Sequence, residues 1–185
     1  MELMQNDGVT SIYFGDNFFT ENYCDDIVSF TRTKSGSVPT VDGNFDMRKV
    51  TMHVMSREVI SDITNKILSC AAEINMRQFG FDLVGIPGND PPNLYEYNVG
   101  DKYDWHFDMG QNFLSTRKLS YSIQLSDEND YEGGDLEFLP EMKCDYLRKK
   151  GTLCLFPSYW THRVTELTKG TRFCIVGWIH GNSYK

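Results

Sequence analysis

The chain has 185 residues, 14% of them aromatic, a size that suits one domain with one substantial core. Its net charge of -8 argues against a dedicated nucleic-acid binder, which carries a basic stripe. No apolar run approaches the length of a membrane span, so no membrane partner is expected.

In chain order, residues 1–8 lack a basic stretch followed by an apolar one, and a cytoplasmic protein without a secretory leader is expected. Ser11 to Phe14 reads as a short strand. Thr20 is placed to cap a helix, with Glu21 in its favourable first turn. Tyr23, Ile27 and Phe30 follow at i, i+4 and i+7, which predicts one buried helical face running to about Thr33. Thr33 to Met47 is rich in turn formers and reads as a loop, with Gly36, Pro39 and Gly43 suited to a lid. Lys49 to Val54 reads as a strand. Ser56 is a second cap, and Ile60, Ile63, Ile67, Ala71 and Ile74 keep a helical stripe that Gly80 stops.

From Pro91 onward the period changes to that of strands. Short alternating runs cover about 94–99, 103–108, 118–126, 135–139, 152–156, 161–166 and 171–179, separated by turn residues. Many short strands with regular turns point to a sandwich or jelly roll. Five cysteines (Cys24, Cys70, Cys144, Cys154, Cys174) are scattered without a CxxC pair. They read as reduced thiols used as small apolar residues.

The chemistry concentrates in Tyr97-Asn98-Val99-Gly100-Asp101-Lys102-Tyr103-Asp104-Trp105-His106-Phe107-Asp108, answered downstream by His162 and Arg172. Residues i and i+2 of a strand share a face, so His106 and Asp108 turn into one cavity while Phe107 turns away. Two histidines and one carboxylate are the donor set of a non-haem iron(II) centre that keeps coordination positions open. A planar, permanently charged guanidinium such as Arg172, in an otherwise apolar strand, suits a carboxylate ligand.

The surrounding anchors repeat the order of a known family. Tyr97, Gly100 and Tyr103 precede His106, Arg117-Lys118-Leu119-Ser120 opens a strand, and Tyr131-Glu132-Gly133-Gly134-Asp135-Leu136 makes a tight turn. Phe156-Pro157-Ser158 precedes His162, and Trp178 follows Arg172 by six residues. The run from Tyr97 to Trp178 resembles the 2-oxoglutarate- and iron-dependent oxygenases of the prolyl 4-hydroxylase type, in the branch called PKHD-type hydroxylases.

That resemblance implies a mainly β fold, a double-stranded β-helix (jelly roll) with two N-terminal supporting α-helices. A single domain over 1–185 follows, with a helical and loop support region over 1–90 and the β-helix core over 91–185. It implies Fe(II) on His106, Asp108 and His162, and 2-oxoglutarate as co-substrate with its far carboxylate on Arg172. Tyr97 and Gln124 are expected to help hold the co-substrate, Trp178 to wall the pocket and Arg48 to contact substrate. O2 is the second co-substrate and ascorbate (vitamin C) the reductant. The expected reaction is hydroxylation of a peptidyl residue, proline first, with succinate and CO2 as co-products. The partner is a protein or peptide; the net charge permits a basic one, and the acidic run Asp127 to Glu132 reads either as a solvated turn or as an electronegative rim for it. The oligomeric state is left open.

Two other classes compete. A zinc metallohydrolase also uses two histidines and a carboxylate, but the chain has no His-Glu-x-x-His helix and such a site gives Arg172 no task. A non-catalytic jelly-roll binding module is expected to have lost a ligand or the cation, and neither is missing. His53 and His180 fall outside the ligand pattern and read as structural.

Overall fold

The computed structural model describes residues 12–32, 46–139 and 145–184. The expected lid (Gly36, Pro39, Gly43), Cys144 and the start of the first strand at Ser11 lie outside the described residues. Two helices and two facing sheets make up the rest.

Both helices start at the expected hydroxyls. Thr20 Oγ1 accepts from the Tyr23 N–H at 3.3 Å and Ser56 Oγ from the Val59 N–H at 3.3 Å, each satisfying an amide that the first turn leaves open. Helix α1 (Glu21–Arg32) keeps two of the three expected stripe residues, with Ile27 in the core and Tyr23 packed against it, and departs at Phe30. Cys24, Ile27 and Thr31 point inward, while Phe30 is 51% exposed. Thr31 is tolerated inside because its hydroxyl donates to the Ile27 carbonyl at 2.7 Å. Helix α2 (Arg57–Ile74) buries Ile63, Ile67, Ala71 and Ile74, then unwinds through one π turn over Asn75–Phe79. Gly80 ends it at φ 71°, a left-handed angle that a residue without Cβ adopts freely.

The strands are β1 (Tyr13–Gly15), β2 (Arg48–Lys49), β3 (Thr51–His53), β4 (Leu83–Gly85), β5 (Asn93–Asn98) and β6 (Lys102–His106). They continue with β7 (Arg117–Gln124), β8 (Tyr131–Gly133), β9 (Leu136–Phe138), β10 (Leu153–Pro157), β11 (His162–Val164) and β12 (Leu167–Gly181). The larger sheet runs β1-β10-β7-β12-β5-β3, with β4 and β8 also paired to β12. The smaller runs β2-β6-β11-β9. The single strand expected over Lys49–Val54 is split. Arg48 and Lys49 pair with β6 in the smaller sheet, and Thr51–His53 pair with β5 in the larger. Val50, 1% exposed, is the corner between them.

Strand alternation sorts the larger sheet into two faces. Leu119, Tyr121 and Ile123 of β7, Phe173, Ile175 and Ile179 of β12, and Leu153 and Leu155 of β10 pack with both helices in one apolar core. Each fully buried aliphatic side chain there contributes about 1.5–3 kcal/mol. The other face carries Tyr95, Tyr97 and Cys174 toward the smaller sheet. Helices thus cover the outside of the larger sheet, and the space between the sheets is free for a site. Strand β12 begins four residues earlier than expected. Gly170, at φ 75°, lets it bend toward β8, where a Cβ would lie 2.0 Å from the Asp130 carbonyl oxygen.

Candidate active site

The smaller sheet sets the histidines side by side. His106 and His162 are direct cross-strand partners of β6 and β11, with ring centroids 4.2 Å apart. Asp108 lies two residues past the end of β6, not within a strand as expected. Its N–H donates to the Ser158 carbonyl at 2.9 Å, and this bond carries the carboxylate back toward the rings. Phe107 turns out to solvent, as the parity argument required. The ligating atoms of His106, Asp108 and His162 all lie within 4.8 Å of one another.

Each ring is fixed from behind. His106 Nδ1 is 2.7 Å from the Asp104 carbonyl, and His162 Nδ1 is 2.9 Å from the Trp160 carbonyl. A carbonyl only accepts, so each Nδ1 keeps its proton and each Nε2 turns a lone pair inward. Those Nε2 atoms stand 3.6 and 3.5 Å from the Asp108 oxygens. Tyr103 stacks on His106 at 3.4 Å between centroids. Ser120 donates to Asp108 Oδ2 at 2.6 Å. Burial pushes the Asp108 carboxyl up, but the adjoining His162 and His106 rings and the Ser120 hydroxyl outweigh it and hold it below the usual carboxylate range. Burial lowers the His162 imidazole. An anionic carboxylate and neutral imidazoles are the forms that bind a cation.

Arg172 lines the same cavity, 4% exposed. Its Nε donates to Gln124 Oε1 at 3.0 Å, and the Gln124 amide is held by the Ser126 carbonyl and the Tyr131 hydroxyl at 3.1 Å each. Arg172 Nη1 is buried with no hydrogen-bond partner. Tyr97 is the cross-strand partner of Arg172 and lies under its guanidinium, 5.5 Å from Cζ to ring centroid. Burial raises the Tyr97 phenol well above its ordinary value and pushes Tyr103 up to about 12, so both stay neutral donors. Gly134 gives Arg172 its room. A Cβ there would sit 2.7 Å from Leu167 Cδ1 and 3.3 Å from Arg172 Cδ.

Trp178, 8% exposed, lines the cavity, and the Arg117 guanidinium stacks on its ring at 3.5 Å. Arg117 is held by Asp90 at 2.9 and 3.1 Å and donates to the Asp108 carbonyl at 3.2 Å. Asp90 also takes His180 Nε2 at 3.0 Å, and His53 pairs with Glu96 at 2.7 Å, so both extra histidines sit in structural networks. Arg48 reaches the cavity from β2, donating to the Tyr95 hydroxyl. Sequence reasoning missed Ser120, Arg117 and Asp90. Ser120 had a readable signal, since Ser120, Ser122 and Gln124 form the polar phase of an otherwise apolar strand. Asp90 had none, because its partners are 27 and 90 residues away.

The comparisons can be set against this geometry. Residues 92–180 match the model of the 2OG-Fe(II) oxygenase superfamily. A PKHD-type hydroxylase of Synechococcus sp. (strain CC9902) is 40% identical over 82 residues, covering 44% of this chain and 37% of the relative. One from Hyphomonas neptunium is 37% identical over 94 residues, covering 48% and 42%. The chain thus spans about two fifths of the length of these curated relatives. A Pseudomonas putida prolyl-4-hydroxylase superposes with TM-score 0.74 at 15% identity, over 92% of each chain. A Trichoplax adhaerens prolyl hydroxylase, solved with a hypoxia inducible factor peptide, gives 0.76 at 17%, over 93% of this chain and 84% of that one. These structures establish the jelly-roll fold of the 2OG-Fe(II) oxygenases, and the two supporting helices complete it.

Proposed function

We propose that this chain is an Fe(II)- and 2-oxoglutarate-dependent hydroxylase of a protein or peptide, with a prolyl residue as first target and succinate and CO2 as co-products. The observation that carries the reading is a pair. Three ligand atoms lie within 4.8 Å of one another, and the Arg172 guanidinium in the same cavity keeps a buried N–H without a partner. The donors suit a ferrous ion: two neutral imidazoles and a carboxylate leave positions free for a chelating acid. The orphaned Nη1 suits the far end of a diacid, because a buried donor left unpaired costs about 1–3 kcal/mol. A zinc hydrolase gives that guanidinium no ligand.

When bound, iron with 2-oxoglutarate and O2 supplies the oxidising power that places one oxygen atom on a substrate C–H. The chain does the rest. His106, Asp108 and His162 hold the ion, and Asp104, Trp160 and Ser120 fix their orientation. Arg172, steadied by Gln124, orients the co-substrate through charge-assisted hydrogen bonds, and Tyr97 adds a neutral donor. Trp178 and the apolar side chains between the sheets exclude water. Arg48, which reaches the cavity from the smaller sheet, contacts the substrate in this reading. Ascorbate serves as reductant and the cytoplasm as site of action. Of the Asp127–Glu132 run, Asp127 to Asp130 form a largely exposed turn in which Asp127 accepts from the Asn129 N–H at 2.9 Å, while Tyr131, buried, and Glu132 belong to β8. The cavity itself is lined with arginines, so preference for a basic partner gains nothing from the site.

The test is anaerobic addition of Fe(II) and 2-oxoglutarate. The expected result is a weak visible charge-transfer band that oxygen discharges as succinate forms. A protein that gives neither, or that hydrolyses ester or amide probes with zinc, would refute the proposal. Incubation with proline-containing peptides, followed by mass spectrometry for one added oxygen, tests the target residue.

A further inference from the structure

Three arginines line the cavity: Arg48, Arg117 and Arg172. Arg117 is neutralised by Asp90 at 2.9 Å. Arg172 faces the co-substrate in the oxygenase reading. Among the described residues Arg48 has neither kind of partner. It stands on β2, its Nη2 donates to the neutral Tyr95 hydroxyl, and its Nε is buried without any hydrogen bond. Its guanidinium lies 5.0 Å from the Tyr95 ring centroid and 4.8 Å from that of Tyr103. Among the described residues no carboxylate forms an ion pair with it.

Counting charge sharpens the point. A ferrous ion with Asp108 leaves one positive charge, and Arg172 adds a second. The 2-oxoglutarate dianion cancels both, and Arg48 remains uncompensated. Guanidinium groups do not lose their proton in proteins, so this charge cannot be removed by titration. A cation withdrawn from water without a counter-charge is costly, and aromatic faces offset only part of that cost. The position matters too. Tyr103, which carries Arg48, is the ring stacked on His106. The unpaired cation is therefore next to the metal ligands, where the reacting part of a substrate must sit.

We propose, building on the oxygenase reading, that the substrate presents a carboxylate to Arg48 beside the carbon that is hydroxylated. Its source is a free chain terminus or an acidic side chain near the target residue. The carboxylate accepts from Arg48 Nε and Nη, and the Tyr95 and Tyr103 rings hold the guanidinium flat for that contact. This site selects acids over their neutral amides, and it gives β2 a task distinct from sheet pairing.

The experiment uses protein loaded with Mn(II) and 2-oxoglutarate, which binds without turnover. Ligand-observed NMR measures the affinities of N-acetylglycine against N-acetylglycinamide, for the terminal source. It measures N-acetylaspartate amide against N-acetylasparagine amide for the side-chain source. In the native protein one acid should bind about tenfold tighter than its amide, the scale of one charge-assisted hydrogen bond. Arg48→Gln should abolish that preference, and Arg48→Lys should restore part of it. Equal binding of acid and amide in the native protein, or a preference that survives Arg48→Gln, would overturn the inference. A loss of more than about tenfold in 2-oxoglutarate affinity in Arg48→Gln would also overturn it, because the cation would then belong to the co-substrate. The Fe(II) charge-transfer band separates the two levels. Its absence in the native protein sinks the oxygenase reading, whereas its presence without acid preference sinks only the role of Arg48.

Discussion

The two ends of the cavity are built on opposite rules. At the histidine end every second-rank contact is made: both Nδ1 atoms meet carbonyls, and Asp108 takes a hydroxyl from Ser120 and an N–H···O anchor from its own backbone. The arginines follow the other rule: the Nη1 of Arg172 and, beside Tyr103, the Nε of Arg48 are buried and unpaired among the described residues. At the histidine end the protein itself supplies the hydrogen bonds. The other leaves cationic donors open, and an anionic ligand would complete them.

Substitutions can break this contrast. The largest effect is expected from His162→Ala or His106→Ala. Losing one of three ligands removes several kcal/mol of metal-centred stabilisation, so turnover should fall by about a thousandfold or more, with iron stoichiometry falling in parallel. Full iron content with native turnover in either variant would exclude that histidine as a ligand. Next comes Arg172→Gln, which removes a paired charge-assisted contact. The KM for 2-oxoglutarate should rise about a hundredfold while iron content is kept. Ser120→Ala leaves all ligands in place and removes only the hydroxyl that orients Asp108. Metal affinity should drop about tenfold, the lower end of such effects, measured by competition with a chelator. The smallest effect belongs to a residue far from the cavity. Phe30→Ala should change unfolding stability by less than about 0.5 kcal/mol, whereas Ile27→Ala, three residues away and buried, should cost about 2–4 kcal/mol. Comparable losses would mean that α1 buries the face first expected from its aromatic residues.

How much of this was legible follows from distance along the chain. His106 and Asp108 are two residues apart, and strand parity alone was enough to pair them, although the strand stops at His106 and a turn finishes the job. Arg172 and Gln124 were legible because each is a polar residue at a fixed phase of an apolar strand. Helix α2 was legible because four of its stripe residues are buried aliphatics at the required spacing. Helix α1 was misread only at Phe30, where hydrophobic size was taken for burial, while Tyr23 and Ile27 face the core as expected. There a threonine with a satisfied hydroxyl goes inside and a phenylalanine stays out. The Asp90–Arg117–His180 network was invisible, since a pair of complementary charges separated by 27 or 90 residues has no local signature. The sheet switch at Val50 was likewise hidden, because a run that alternates across a corner looks the same as one that does not.

The pairing of His106 with His162 reaches beyond catalysis. They join the two inner strands of the smaller sheet, whose strands hold only two to five residues each, against up to fifteen in the larger. An ion on those two rings clasps neighbouring strands at their point of contact, much as a cross-link would. Loading with metal should therefore slow amide exchange over 102–106 and 162–164 and leave β7 and β12 unaltered. In this architecture a metal on those rings would stiffen the wall of the barrel that has the shorter strands.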